Sequence, residues 1–96
     1  MTKPRKITAN YVETEIDDEI LLVDLDGGEL FSLSGTAREI WRLIDGEQTL
    51  DEIADTVARG YSVEEKQLQR DVARFVAQLR DAALVADTNL SSANHS

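Results

Sequence analysis

Apolar and polar positions along this chain change period once, near residue 34, and that change divides it into a strand-forming and a helix-forming part. Tyr11-Val-Glu-Thr-Glu-Ile16 alternates in part and reads as a strand. Asp17-Asp18-Glu19 is too repulsive and turn-like to continue it. Ile20-Leu-Leu-Val-Asp-Leu25 is an aliphatic run too short for a stable helix and reads as a buried strand. Asp26-Gly27-Gly28 follows as a hairpin turn, because glycine accepts the positive φ angles such turns need. Glu29-Leu-Phe-Ser-Leu33 then returns, with Phe31 and Leu33 on one face and Leu30 and Ser32 on the other.

From Ser34 the spacing becomes helical. A first helix is predicted after Ser34, a capping residue, with Ala37, Ile40, Trp41 and Ile44 on one stripe and Gly46 as its stop. A second opens with the capping box Thr49-Leu-Asp-Glu52, repeats the stripe through Leu50, Ile53, Ala54 and Val57, and ends at Gly60. A third, the longest, opens with Ser62-Val-Glu-Glu65 and carries Leu68, Val72, Phe75, Val76, Leu79 and Ala83. Residues 1–10 are short and basic, hold the single proline, and are expected to form a flexible arm. Residues 11–86 form the one domain, and the polar residues 87–96 are expected to be a disordered tail. The predicted fold is α+β, three strands followed by three helices.

Composition narrows the function. With 96 residues the chain supports one modest core and no enclosed active-site cavity. It has no cysteine, and its single histidine, His95, has no ligand partners nearby, so disulfides, thiol chemistry and a zinc site are not expected. There is no long apolar run and no hydrophobic signal core, which points to a cytoplasmic protein away from membranes. The net charge is −9, and residues 9–86 carry seven basic against eighteen acidic side chains. Nucleic-acid affinity rests on cations displacing phosphate counterions, so this balance argues against DNA or RNA and favours basic partners.

The inventory holds no catalytic set. Asp17/Asp18, Asp51/Asp55 and Glu64/Glu65 come without histidine or a metal-ligand pattern. Ser32 and Ser34 have no base to activate them, and Gly27-Gly28 is not followed by a phosphate-binding helix. Trp41 belongs to the core stripe of its helix. No catalytic residue, metal or cofactor is expected. Geometry offers more. Nothing later in the chain reads as a partner for strand 29–33, which should be a sheet edge with free amides and carbonyls, little protected by charge or proline. Such an edge can accept an extended peptide. At 100° per residue, Asp71, Phe75, Gln78 and Ala82 share one flank of the third helix, with Arg74 next to Asp71. If that flank leans over the edge, the two form a groove. The candidate peptide-binding residues are therefore Glu29, Leu30, Phe31, Ser32, Leu33, Asp71, Arg74, Phe75 and Gln78.

Residues 21–46, Leu-Leu-Val-Asp-Leu-Asp-Gly-Gly-Glu-Leu-Phe-Ser-Leu-Ser-Gly-Thr-Ala-Arg-Glu-Ile-Trp-Arg-Leu-Ile-Asp-Gly, resemble the PqqD-like family, also called the RiPP precursor-peptide recognition element. So do Thr49–Ile53 and Arg70–Leu79, closing near Ala-Leu-Val, and the likeness spans residues 11–86. The resemblance implies a winged-helix-like fold, a three-stranded antiparallel sheet followed by three helices, and a small chaperone that binds the leader region of a ribosomally made precursor peptide. It presents that peptide to a leader peptidase or other modifying enzyme of the pathway. In that family the leader adds to the third strand and lies against the third helix, which correspond here to Glu29–Leu33 and the Asp71–Gln78 flank. With Phe-x-Leu before the first helix and Ile-Trp-x-Leu within it, the chain is most similar to free-standing lasso-peptide leader-binding proteins, acting as a monomer. Ser34 stands where the family usually has Asn, and is expected to cap as well. The alternatives are a PqqD-type partner of a radical-SAM enzyme, a winged-helix DNA-binding regulator, which Glu64, Glu65 and Asp71 oppose, and an acyl-carrier-like protein, which lacks its Asp-Ser-Leu site here.

Overall fold

The computed structural model describes residues 2–61 and 63–88. Strand β1 (Lys3–Lys6) leads through a 3-10 turn at Thr8–Asn10 into β2 (Tyr11–Ile16), β3 (Glu19–Asp24) and β4 (Leu30–Leu33). Helices α1 (Gly35–Leu43), α2 (Leu50–Tyr61) and α3 (Glu65–Asp81) follow, and β5 (Val85–Thr88) closes the described chain. Strands β2-β3-β4 form an antiparallel sheet in that order, and β1 pairs with β5 in a separate two-stranded sheet. The α+β architecture of three antiparallel strands followed by three helices is therefore the one expected.

One face of the three-stranded sheet is buried, by Ile20 and Leu22 of β3 and Leu33 of β4, against Ile40 and Trp41 of α1, Ile53, Ala54 and Val57 of α2, and Leu68, Val72, Val76 and Leu79 of α3. The helical stripes are those the spacing predicts, with Ala37, Leu50 and Phe75 packed at the margin of the core. The capping box of α2 is formed: the Thr49 amide donates to Glu52 Oε1 at 2.8 Å and the Glu52 amide to Thr49 Oγ1 at 3.2 Å.

Other boundaries differ. Ser34 occupies the N-cap of α1, but its hydroxyl makes no capping bond. Helix α1 stops at Leu43, before Gly46. That glycine has φ +81° and gives its amide to the Pro4 carbonyl at 2.8 Å, so it serves the docking of β1. Gly60 lies inside α2, which runs on to Tyr61. Helix α3 starts at Glu65 with Glu64 at the N-cap, so the Ser62 box does not open it; Ser62 itself lies outside the described residues. Strands β3 and β4 are joined across residues 25–29, longer than a two-residue hairpin. There the Asp24 carboxylate accepts the Asp26 amide at 2.9 Å, and only Gly28 of the two glycines has a positive φ, +74°.

The flexible arm expected over residues 1–10 is corrected by the structure. Lys3–Lys6 is a strand whose Pro4 is fully buried, in register Lys3↔Thr88 to Lys6↔Val85 with β5. Asp87 and Thr88, expected to open a disordered tail, belong instead to β5; the rest of that stretch, residues 89–96, lies outside the described residues. Two further contacts hold this pair. The Ile7 amide donates to the Leu84 carbonyl at 2.9 Å, and Arg80 pairs with Asp87 at 2.9 Å. A proline fits an edge strand because no ladder donor is needed on its outer side.

Ala83, assigned above to the core stripe, lies beyond α3 with φ +61°. The Ala83 amide donates to the Arg80 carbonyl and the Leu84 amide to the Leu79 carbonyl, both at 2.9 Å, which is the bond pair of a Schellman ending. That position normally takes glycine, because a Cβ in the left-handed region costs about 1–2 kcal/mol. Replacing Ala83 with glycine relieves this, less the greater freedom glycine has when unfolded. Ala83→Gly should therefore raise stability by about 0.5–1 kcal/mol in urea denaturation. Deleting residues 1–6 should instead lower it by about 2 kcal/mol or more, through loss of the buried Pro4 and the β1 ladder. Loss of a mere arm would leave the urea midpoint unchanged.

Candidate functional site

The free edge at β4 follows from the hydrogen-bond alternation of an antiparallel pair. The Asp24 amide donates to the Glu29 carbonyl at 2.9 Å, and β3 and β4 continue in the register Leu22↔Phe31 and Ile20↔Leu33. These are the bonded pairs, and Val23↔Leu30 and Leu21↔Ser32, which alternate with them, are the non-bonded ones. The backbone amides and carbonyls of Leu30 and Ser32 therefore point off the open side of the sheet. Strand β2 is the sheet's other edge. Its inward carboxylates are already engaged by α1: Glu15 accepts from Arg38 at 2.8 Å and Arg42 at 2.5 Å, and Glu13 accepts from Trp41 Nε1 at 3.2 Å. The bonds from Arg38 and then Arg42 hold the Glu15 carboxyl below its usual pKa range.

Along β4 the space between the sheet and α3 is open. A cleft of about 220 Å³ lies between α1 and α3, lined by Thr36, Ala37, Ile40, Asp71, Arg74, Phe75 and Gln78. A second, of about 370 Å³, lies between β4 and the end of α3, lined by Glu29, Phe31, Gln78, Asp81 and Ala82. Gln78 borders both, so they are two halves of one groove. Helix α3 supplies one wall because its stripe of Leu68, Val72, Val76 and Leu79 is turned into the core, which leaves Asp71, Phe75, Gln78 and Ala82 on the flank.

The structure brings Glu29, Phe31, Asp71, Arg74, Phe75 and Gln78 to this groove. Leu33 is not in it: at 3% exposure it is part of the core. The Leu30 side chain is 61% exposed on the opposite face of the sheet, and the Ser32 hydroxyl on that face bonds Glu19, so these two reach the edge through backbone alone. Asp71 and Arg74 pair with each other at 2.5 Å. Ala82, read from the spacing as part of the same flank, lines it too, and the groove also takes in Thr36, Ala37, Ile40 and Asp81, which the sequence reading left out of the site. Asp81 follows Gln78 by three residues and was legible by that spacing; the contribution of α1 depends on how two helices pack.

Away from the groove, Trp41 is fully buried, edge-on to Tyr11 at 5.3 Å between ring centroids, with Lys6 Nζ at 4.6 Å from its ring. Burial pushes the Lys6 amine down and the Tyr11 hydroxyl up from their usual values. This cluster joins β1 and β2 to α1. Among the described residues no group of three His, Asp or Glu side chains is placed to hold a metal ion, and no helix is long and apolar enough to cross a membrane.

A three-stranded antiparallel sheet, three helices and a groove along a sheet edge left unpaired among the described residues define a small α+β domain. The family described as coenzyme PQQ synthesis protein D (PqqD) matches residues 19–85, and the chain belongs to that family. Among solved structures it is similar to TbiB1 in complex with the TbiA(beta) leader peptide. The two are 32% identical, the match covers 83% of this chain and 93% of that one, and the TM-score is 0.72. It shares the fold of a lasso peptide synthetase B1 complexed with the leader peptide, at 23% identity, 88% and 98% coverage and a TM-score of 0.75. No curated protein sequence matches.

The edge geometry makes a residue-specific prediction for the unliganded protein. The amides of Leu30 and Ser32 should exchange with solvent deuterium quickly, while those of Phe31 and Leu33, bonded to β3, should be protected. Amide-resolved exchange by NMR reads this directly, and uniform protection across 30–33 would mean that the edge is covered.

Proposed function

We propose that this protein is a non-catalytic leader-binding chaperone of lasso-peptide biosynthesis. It takes an extended leader segment as a fourth strand on β4 and holds it against α3. The observation that carries this reading is the coincidence of two features. The chain is 32% identical, over most of both lengths, to a protein solved with a leader peptide, and its own β4 has an unpaired edge beside a groove. Backbone groups of Leu30 and Ser32 supply affinity for any extended strand, and side chains along the groove supply selectivity. Phe75, Ala37 and Ile40 form the apolar end, suited to an apolar leader side chain. Asp71 and Arg74, which neutralise one another in the free protein, set the register there.

The chaperone is cytoplasmic and monomeric, uses no cofactor, and hands the bound precursor to a leader peptidase or another modifying enzyme of the same pathway. The matching family is described as coenzyme PQQ synthesis protein D, and the second reading is a PqqD-type partner of a radical-SAM enzyme acting on a precursor peptide. The neighbouring genes separate the two: a protease and an amide-forming cyclase support the first, a radical-SAM enzyme the second.

The test is titration of a synthetic leader peptide from the adjacent precursor gene, read by calorimetry and by amide exchange. Leu30 and Ser32 should become protected on binding. Phe75→Ala should weaken affinity by roughly tenfold or more, as truncation of an interface anchor does, with thermal melting run beside it because Phe75 also borders the core. Tight binding with unchanged exchange at Leu30 and Ser32, or a folded Phe75→Ala protein with full affinity, would overturn the assignment.

A further inference from the structure

The two ends of the groove differ in charge. At the α1 end, Asp71 is matched by Arg74. At the other end Glu29 and Asp81 face the same cleft from opposite walls, over Phe31 and Ala82, and among the described residues no cation lines it. Among those residues neither carboxylate takes part in an ion pair, although the adjacent Arg80 does, with Asp87 on β5. Arg80 is thus turned away from the groove while Asp81 is left in it.

We propose that this end of the groove is a specificity site for a basic residue of the bound peptide, a lysine or arginine placed between Glu29 and Asp81 with its alkyl stem on Phe31 and Ala82. The proposal rests on the strand-addition reading above and names a feature of the peptide that reading leaves open. A cation there has two carboxylates to satisfy and an apolar floor for its methylenes, the combination that long basic side chains fill. The site also has a fixed address. An added strand pairs with β4 most stably when antiparallel, so it runs from the Phe75 end toward the Glu29 end. Glu29, Phe31 and Leu33 share the inward face of β4, and peptide residues opposite Leu33 and Glu29 are four apart, about 13 Å along a strand. The peptide should therefore carry an apolar residue and, four positions toward its C-terminus, a basic one on the same face.

A positional library of acetylated, amidated twelve-residue peptides, with leucine fixed at position 5 and position 9 varied among Lys, Arg, Gln and Glu, tests this by affinity selection on the full chain. Because the protein is acidic overall, a control set moves the lysine to position 8, which turns it to the opposite face of the strand. At low salt, Lys or Arg at position 9 should be favoured over Glu by about fivefold or more, the preference shrinking as salt rises. It should be absent at position 8. Glu29→Gln and Asp81→Asn should each flatten it, and the double variant Glu29→Lys/Asp81→Lys, confirmed folded by circular dichroism, should favour Glu instead. Selection that depends on Phe75 but ignores charge at position 9 would overturn this site and leave strand addition standing. A basic preference that survives in the double variant would also overturn it, and selection of no peptide at all would overturn both.

Discussion

Every feature of the groove depends on the rotational setting of α3. Its buried stripe, Leu68, Val72, Val76 and Leu79, meets the core almost without exposure, and that packing allows the helix one rotation about its axis. At 100° per residue the positions beside the stripe are then determined, so Asp71, Phe75, Gln78 and Ala82 must line up along one side, the first two toward α1 and the last two toward β4. Close packing makes this setting stiff, since a small rotation would open voids in the core that α3 shares with Ile53 and Val57 of α2. The groove wall is thus a by-product of core packing.

The strand that forms the other wall is left unpaired for a related reason. Helix α3 runs beside the open side of β4 without contributing backbone donors to it, and the one later strand among the described residues, β5, is carried past to pair with β1. The β1–β5 ladder uses two segments that would otherwise add to an edge. It also closes the far side of the molecule around Pro4, Leu84 and Val85, where Gly46 brings the chain close enough for its amide to reach the Pro4 carbonyl. One edge, β2, has its inward carboxylates tied to Arg38, Arg42 and Trp41 on α1, while the other opens on a groove. The two edges of the sheet thus differ in what lies beside them.

Charge is distributed to suit the same arrangement. The surplus of acidic groups keeps the surface soluble and repels phosphate backbones, and within the groove it is uneven, balanced at Asp71–Arg74 and uncompensated at Glu29 and Asp81. An edge strand without a blocking charge would also invite pairing with another copy of itself. Here Glu29 at one end of β4 and Asp81 beside it place uncompensated negative charge near that edge.

What the sequence determined by itself was everything governed by short-range periodicity. The apolar alternation of 20–25 and 29–33, the stripes of three helices, the Thr49–Glu52 capping box and the flank from Asp71 to Gln78 all arise from spacings of two to four residues, and the backbone realises them locally. The tertiary structure alone decided the rest. Lys3–Lys6 reads as a charged arm because its partner lies about eighty residues away, and nothing in Lys-Pro-Arg-Lys announces a strand whose ladder and buried proline exist only once β5 is in place. Ala83 in a left-handed turn, Gly46 as a docking point and the entry of Ala37 and Ile40 into the groove likewise depend on contacts between distant segments. Local pattern specifies elements and the faces they bury; which faces remain open is a property of their assembly.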